Sequence, residues 1–235
     1  MIKKPRSHST MLRHPWNVDV RRAVEIQQRL RRRLSLKDGL VFRNIRWIAG
    51  ADVAYANRGG AIFGAVVLLS FPQLVVVEEV QVKGTVEFPY VPSLLSFREG
   101  PILLEAFSLL RHRPDVILFD AQGIAHPRGF GLASHLGLLL GLPSVGCAKT
   151  RLIGEYKPPG RGRGSFSWLW FEGRNVGAVV RTRADVKPLF VSPGDKITTQ
   201  TAVRLVLAAC GGYRLPEPIR RAHQLANRAL RQFKA

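Results

Sequence analysis

Cysteine is nearly missing from this chain of 235 residues: two are present, Cys147 and Cys210, each inside an apolar stretch. A pair so placed supports no disulfide framework and suits buried thiols in a reducing compartment, so a cytoplasmic location is expected. Long apolar runs are missing too. None approaches the roughly 20 residues of a membrane-spanning helix, and the charged N-terminus is followed by no signal-like apolar core. The expectation is a soluble protein with no membrane partner. No internal repeat is visible and no compositional shift forces a second domain, so one core is the simplest reading. Acidic residues are scarce: 16 Asp+Glu stand against 36 Lys+Arg, for a formal net charge of +20. That excess goes far beyond what solubility needs and selects a polyanion, nucleic acid first, as the partner.

What is present is unevenly placed. Residues 1–46 hold 13 Lys/Arg and 3 Asp/Glu, so half of the excess sits in the first fifth of the chain. Residues 1–16 are basic, contain Pro5 and Pro15, and show no period; they read as a flexible tail ahead of a domain spanning 17–235. Val20, Ala23, Ile26, Leu30 and Leu34 then recur at three and four residues, the period of an amphipathic helix whose basic opposite face meets either solvent or nucleic acid. Residues 46–55, 61–70 and 74–83 read as strands, the last two joined by Phe71-Pro72-Gln73 as an antiparallel hairpin. Residues 94–111 read as helical but broken at Pro101. Strand 115–119, helix 131–141 and strand 144–148 form a β-α-β unit with parallel strands, so Asp120 and Lys149 leave the sheet at one edge. A basic loop, 154–164, leads to a hairpin of 166–172 and 175–182 turning at Gly173-Arg174-Asn175. Strand 189–192, a helix over 199–210 and a last helix with Pro218 at its first position complete the chain. An antiparallel meander leading into parallel strands gives an α/β class, a mixed central sheet flanked by helices in the ribonuclease H-like arrangement. That arrangement hosts unrelated activities, so function rests on side chains.

Asp120 ends the apolar run 116–119 and opens the loop Asp120-Ala121-Gln122-Gly123-Ile124-Ala125-His126-Pro127-Arg128. A carboxylate at the carboxyl end of a buried strand is a usual seat of chemistry in α/β sheets. Asp52 interrupts the apolar strand Ile48 to Tyr55, where an ionised carboxylate needs an arginine, backbone donors or a metal. Two such groups on adjacent strands call for a cation between them, and oxygen donors suit a hard ion such as Mg²⁺. Glu99 is either a surface partner of Arg98 or the third oxygen of a cluster that hydrolyses phosphodiesters. His223 borders the apolar stripe of the last helix; it either packs there or turns to the metal and its water. Lys149 caps a strand or neutralises the scissile phosphate, and His126 contacts substrate or ties its loop. In Phe88-Pro89-Tyr90-Val91-Pro92-Ser93 the prolines stiffen an extended loop, which presents Tyr90 as a wedge between bases or packs it on its own domain.

Taken in order, Ile48 to Tyr55, Pro89 to Pro101, Asp120 to Lys149 and Glu217 to Asn227 resemble the endonuclease V family, which nicks nucleic acid near deaminated purines, chiefly deoxyinosine. The run from Asp120 to His135 is the most specific part. The resemblance implies Asp52, Asp120 and Glu99 as metal-binding and active-site carboxylates, His223 as a group holding the metal and its water, and Lys149 as a lysine near the cleaved phosphate. Mg²⁺, or Mn²⁺, is the implied cofactor. Pro89-Tyr90-Val91-Pro92 is the implied strand-separating wedge, and Ser93, Leu95, Ala121, His126, Gly131 and Leu152 belong to the implied substrate contacts. The implied reaction cuts the second phosphodiester bond 3′ to the lesion in DNA, leaving 3′-hydroxyl and 5′-phosphate ends, in DNA repair by a monomer. This chain carries Ser93 and Ala121 where the family usually has glycine, and a Cβ at either place narrows the pocket or restricts its backbone. Asp195 stands where a histidine is common. Two other readings stay open: a non-catalytic nucleic-acid binder on the same scaffold, and an endonuclease acting on inosine in RNA or in single strands.

Overall fold

The computed structural model describes residues 14–56 and 60–234. Residues 1–13 of the basic tail lie outside the described residues, while His14 and Trp16 are packed against the domain: His14 Nε2 lies 2.7 Å from His135 Nε2, and the Trp16 and His135 rings stack at 5.2 Å. Among the described residues, no helix is long and apolar enough to cross a membrane.

Eight strands form one mixed sheet: β1 (Trp47–Tyr55), β2 (Ala61–Ser70), β3 (Val76–Thr85), β4 (Val116–Phe119), β5 (Ser144–Ala148), β6 (Phe166–Phe171), β7 (Arg174–Val180) and β8 (Leu189–Pro193). Their order is β3-β2-β1-β4-β5-β8-β7-β6. The meander β1–β3 is antiparallel, β4 runs parallel to β1 and β5 parallel to β4, and β8 turns the far half antiparallel again. β4 and β5 are buried along their whole length and read as unbroken apolar runs, as strands covered on both faces must. β3, at one edge, alternates half-buried and exposed residues.

Helices α4 (Thr199–Ala208) and α5 (Glu217–Lys234) cover one face, where Ile48, Leu118, Val145, Val191, Ile219 and Leu225 share a core. Helices α2 (Leu95–Ser108) and α3 (Leu132–Leu140) cover the other, around Ala49, Ile117, Phe119, Leu103 and Leu136. Helix α1 (Val20–Arg31), capped by Asp19 Oδ1 accepting from the Arg22 N–H at 2.7 Å, lies outside that layer on Phe88, Leu94, Phe97 and Phe130. Odd positions of β1 therefore face α2, and even positions, Asp52 among them, face α5.

Three expectations need correction. Pro101 does not break the helix, because α2 runs through it from Leu95 to Ser108. Proline removes one N–H and crowds one carbonyl, a cost of about 3 kcal/mol; burial of Phe97 before it and Ile102, Leu103, Ala106 and Phe107 after it keeps both halves on the sheet. The β6–β7 turn lies at Glu172-Gly173, both at positive φ (49° and 72°), the two-residue form that matches strand twist, rather than at 173–175. Pro218 is the second residue of α5, where its missing N–H is equally harmless.

Asp195 is fully buried at the end of β8 remote from Asp120 and Lys149, and its Oδ1 accepts the Ser35 N–H at 2.9 Å. It fastens the segment after α1 to the sheet, and burial raises its pKa.

The approach of α5 to β1 depends on Gly50. A Cβ there would lie 2.1 Å from the carbonyl carbon and oxygen of Pro218. Gly50→Ala should therefore lift the start of α5 and cost about 1–3 kcal/mol, read as a lowered urea midpoint at unchanged slope; an unchanged midpoint would show that the helix does not need this contact.

Candidate active site

The sheet brings Asp52 and Asp120 to one edge. Ala51 pairs with Phe119 across the parallel β1–β4 ladder, so the next residue of each strand is an aspartate. Both point to the α5 face, and α5 supplies His223, whose Nδ1 lies 2.6 Å from Asp52 Oδ2. Lys149, one residue past the parallel β5, pairs through Nζ with Asp120 Oδ2. The Lys149 carbonyl is held in turn by Arg214 Nη2 at 2.8 Å. Glu99 arrives from the opposite face on α2, and its Oε1 accepts the Tyr55 hydroxyl at 2.8 Å, with the Arg98 guanidinium over the Tyr55 ring at 4.9 Å.

Electrostatics tie the three carboxylates together. Burial, then the Asp52 and Asp120 charges, push the Glu99 carboxyl up to about 7 against the pull of Tyr55 and Arg98. Burial and the Asp120 charge raise Asp52, while His223 opposes them. Like charges sensing one another across an edge make a cation site in waiting, and an oxygen-rich set with one imidazole suits a hard divalent ion. As the side chains lie, each carboxylate leans on its own partner, and among the described residues no three acidic, imidazole or thiol groups form a finished ion cage.

Beside this edge lies a cavity of about 270 Å³ lined by Tyr90, Val91, Ser93, Leu95, Ala121, His126, Gly131 and Leu152, together with Gln27, Gln122, Thr150 and Arg151. Eight of the residues expected to contact substrate thus meet at one place. Pro92 is not among its lining, and Pro89 lines a neighbouring cavity with Trp16 and Arg98. Tyr90 projects, at 72% exposure, which fits a presented ring rather than a packed one. Gly131 lets helix α3 start against the loop, since a Cβ there would fall 2.3 Å from the Gln122 carbonyl oxygen.

Ser93 is the conformational keystone of the cavity. Its φ of 66° lies in the left-handed region, which costs an L-residue about 1–2 kcal/mol and glycine nothing. Its carbonyl accepts from Gln27 Nε2 (3.1 Å), His126 Nε2 (2.9 Å) and Arg128 Nη2 (2.7 Å), and its hydroxyl from Arg128 Nη2 (2.6 Å). Burial lowers His126 to about 4, so the ring is neutral at pH 7, donating from Nε2 and accepting the Arg128 N–H at Nδ1. His126 thereby ties its loop as well as lining the cavity. Gln27 and Arg128, which clamp each other at 2.6 Å, were not singled out from sequence. The signal existed for Gln27: a polar residue, fully buried here, interrupting the stripe Ala23, Ile26, Leu30.

Comparison with known proteins follows the same line. A family profile described as Endonuclease V matches residues 28–224. An Endonuclease V of Dehalococcoides mccartyi is 47% identical over 213 residues, covering 91% of this chain and 95% of the relative. The crystal structure of the Endonuclease V of Streptomyces avermitilis superposes with a TM-score of 0.89 at 41% identity, over 94% of this chain and 96% of that one. Ciona intestinalis Endonuclease V, in complex with a 24mer DNA containing an inosine followed by a ribo-adenosine, gives 0.81 at 26% identity, over 91% and 98%.

The Glu99 carboxyl has a raised pKa, so its ionised form opposes folding: the penalty is absent below about 4.5, grows towards 7 and is complete above it. In chelator-containing buffer, Glu99→Gln should match the wild type at pH 4 and exceed it at pH 8 by on the order of 1–3 kcal/mol. Equal thermal midpoints at both pH values would remove the charge cluster.

Proposed function

The chain belongs to the endonuclease V family, and from that premise we propose that it hydrolyses DNA at the second phosphodiester bond 3′ to a deaminated purine, with a divalent cation held by Asp52, Asp120 and Glu99. The observation that carries the reading is the parallel β1–β4 register that sets Asp52 and Asp120 side by side at one sheet edge, beside a cavity walled by the Tyr90 loop and loop 121–131. Mg²⁺ or Mn²⁺ fits the donor set, and when bound it lowers the pKa of water and stabilises the departing oxygen. An ion held there would displace Lys149 from Asp120.

The protein's own groups then divide the work. With Nδ1–H donated to Asp52, the His223 Nε2, which faces Asn227 Nδ2 at 3.2 Å, is the acceptor for a proton of the attacking water once that amide turns away. Lys149, freed from Asp120, neutralises the phosphate under attack, and its position is fixed by Arg214. Water adds at phosphorus and the 3′-oxygen leaves, which gives 5′-phosphate and 3′-hydroxyl ends. Tyr90 between its prolines opens the stack, and the extruded purine enters the cavity, where the clamped Ser93 backbone meets it. Ser93 and Ala121 line that cavity, and their side chains tune which lesion fits.

Inosine in RNA is the second reading, favoured by the ribo-adenosine beside inosine in the Ciona intestinalis complex. Matched strands carrying deoxyinosine, deoxyuridine, an abasic site, inosine in RNA, or no lesion, incubated with Mg²⁺, decide among these. Deoxyinosine DNA should be cut at the second bond 3′ to the lesion, with Asp52→Ala and Asp120→Ala at least about 100-fold slower. An intact deoxyinosine strand, with wild type and Asp52→Ala indistinguishable, would sink the enzymatic reading; faster cutting of RNA would reassign its substrate. Ser93→Gly should change the ratio of kcat/KM between deoxyinosine and deoxyuridine, and an unchanged ratio would take Ser93 out of lesion choice.

A further inference from the structure

The edge strand β6 carries a feature the reaction leaves unused. Phe166, Trp168 and Trp170 are 44%, 38% and 48% exposed, and they alternate with Leu169, which is buried against Val176, Val179 and Phe190. Three large aromatic side chains thus stand outward at every second residue of one strand, and the rings of Phe166 and Trp168 meet edge-on at 5.0 Å. Scattered apolar residues on a surface need no account, but a contiguous aromatic ladder does.

Two observations say what covers it. The first is charge: between residues 149 and 174 the chain holds six Lys/Arg and two Glu, and the exposed loop entering β6 carries Lys157, Arg161 and Arg163. That loop is fixed beside the sheet by Arg181, which donates to the carbonyls of Gly160 (3.1 Å) and Val186. The second is continuity. Trp170 shares a cavity of about 520 Å³ with Arg151 and Leu152, and those same two residues line the base cavity next to the carboxylates. A strand leaving the base cavity past Arg151 therefore meets Trp170 first.

We infer that β6 is a stacking platform for unpaired bases of the substrate strand, with the basic loop 157–163 attending its phosphates. Every base offers a π-face, so the platform binds single strands without regard to sequence and extends the footprint beyond the lesion. The surface rests on the proposed nuclease reading for its placement, while its occupant, single-stranded nucleic acid, follows from its own chemistry.

The test uses the full-length protein and an undamaged oligo(dT) of about 20 nucleotides. Binding, read as the anisotropy of a dye-labelled oligo(dT), should weaken about tenfold or more at fixed salt when Trp168→Ala and Trp170→Ala are combined. The double change to Tyr, which keeps a stacking ring, should restore most of it. A circular dichroism melt shows that the variants are folded. Cutting of a short deoxyinosine duplex confined to the base cavity should keep its wild-type rate. Equal oligo(dT) affinity in wild type and the Ala variants overturns the platform and leaves nicking untouched. Absence of nicking by the wild-type protein, with oligo(dT) binding intact, overturns the nuclease reading instead. A concentration-dependent dimer by light scattering that the Ala variants dissolve also overturns the platform, because the ladder would then face a second copy of the chain.

Discussion

The parallel register of β1 and β4, which places Asp52 and Asp120 side by side at one edge of the sheet, is the constraint on which the proposed site depends. A sheet alone can bring these two carboxylates to one edge. The third, Glu99, must come from elsewhere, and it comes from a helix on the opposite face. The cation-bearing or protonatable partners come from further elements again: His223 from α5, Lys149 from the end of β5, Tyr55 from β1 itself. Close packing elsewhere follows from this demand. Gly50 is bare so that α5 can lie on β1 and hold His223 over Asp52. Among the described residues, none of the three carboxylates is closed off by a direct arginine pair.

A second strained element stands beside the first and is held by different means. The Ser93 backbone sits in a conformation that a side chain resists, and four hydrogen bonds from Gln27, His126 and Arg128 fix it there. Strain kept in place by surrounding donors is characteristic of sites that must be rigid before the ligand arrives. The neutrality of His126 is part of the device, because a ring with one donor and one acceptor matches the Ser93 carbonyl and the Arg128 N–H at once. The Tyr90 loop and loop 121–131 are therefore one unit, joined through Gln27, His126 and Arg128.

Much of this was legible in the residues. The parallel β-α-β unit, the shared exit of Asp120 and Lys149, and the meander before them follow from period and loop length, and the sheet has them. Boundaries failed where local preference met tertiary packing. Pro101 reads as a helix break because proline forfeits an N–H, yet burial on both sides of it outweighs one bond. The turn reads from sequence as Gly173-Arg174-Asn175 and lies at Glu172-Gly173, because a positive φ at glutamate has no sequence signal. Gln27 and Arg128 went unremarked for another reason. Their role exists only once α1, the wedge loop and loop 121–131 have met, and no periodicity in any one segment encodes that meeting. The exposure of β6 is similar: alternating aromatics look the same whether the outer face meets a helix or nothing.

The excess of positive charge and the acidic centre are complementary rather than contradictory. A polyanion approaching a chain of net charge +20 is drawn in by long-range attraction, which is screened over about 8–10 Å at ordinary ionic strength. At shorter range the carboxylates repel the same phosphate, and without a counter-ion the last ångströms would be uphill. On the proposed reading, basic groups at the rim, Arg151 and Lys149 among them, would hold the backbone close to the acidic edge, and a bound divalent cation would reverse the sign of the centre itself. Affinity and chemistry are thereby separated in space: lysines and arginines supply the first without sequence preference, and the carboxylates exert the second only where a strand has been opened and a base withdrawn. A protein so strongly basic can then encounter undamaged DNA everywhere and still reserve hydrolysis for one kind of site.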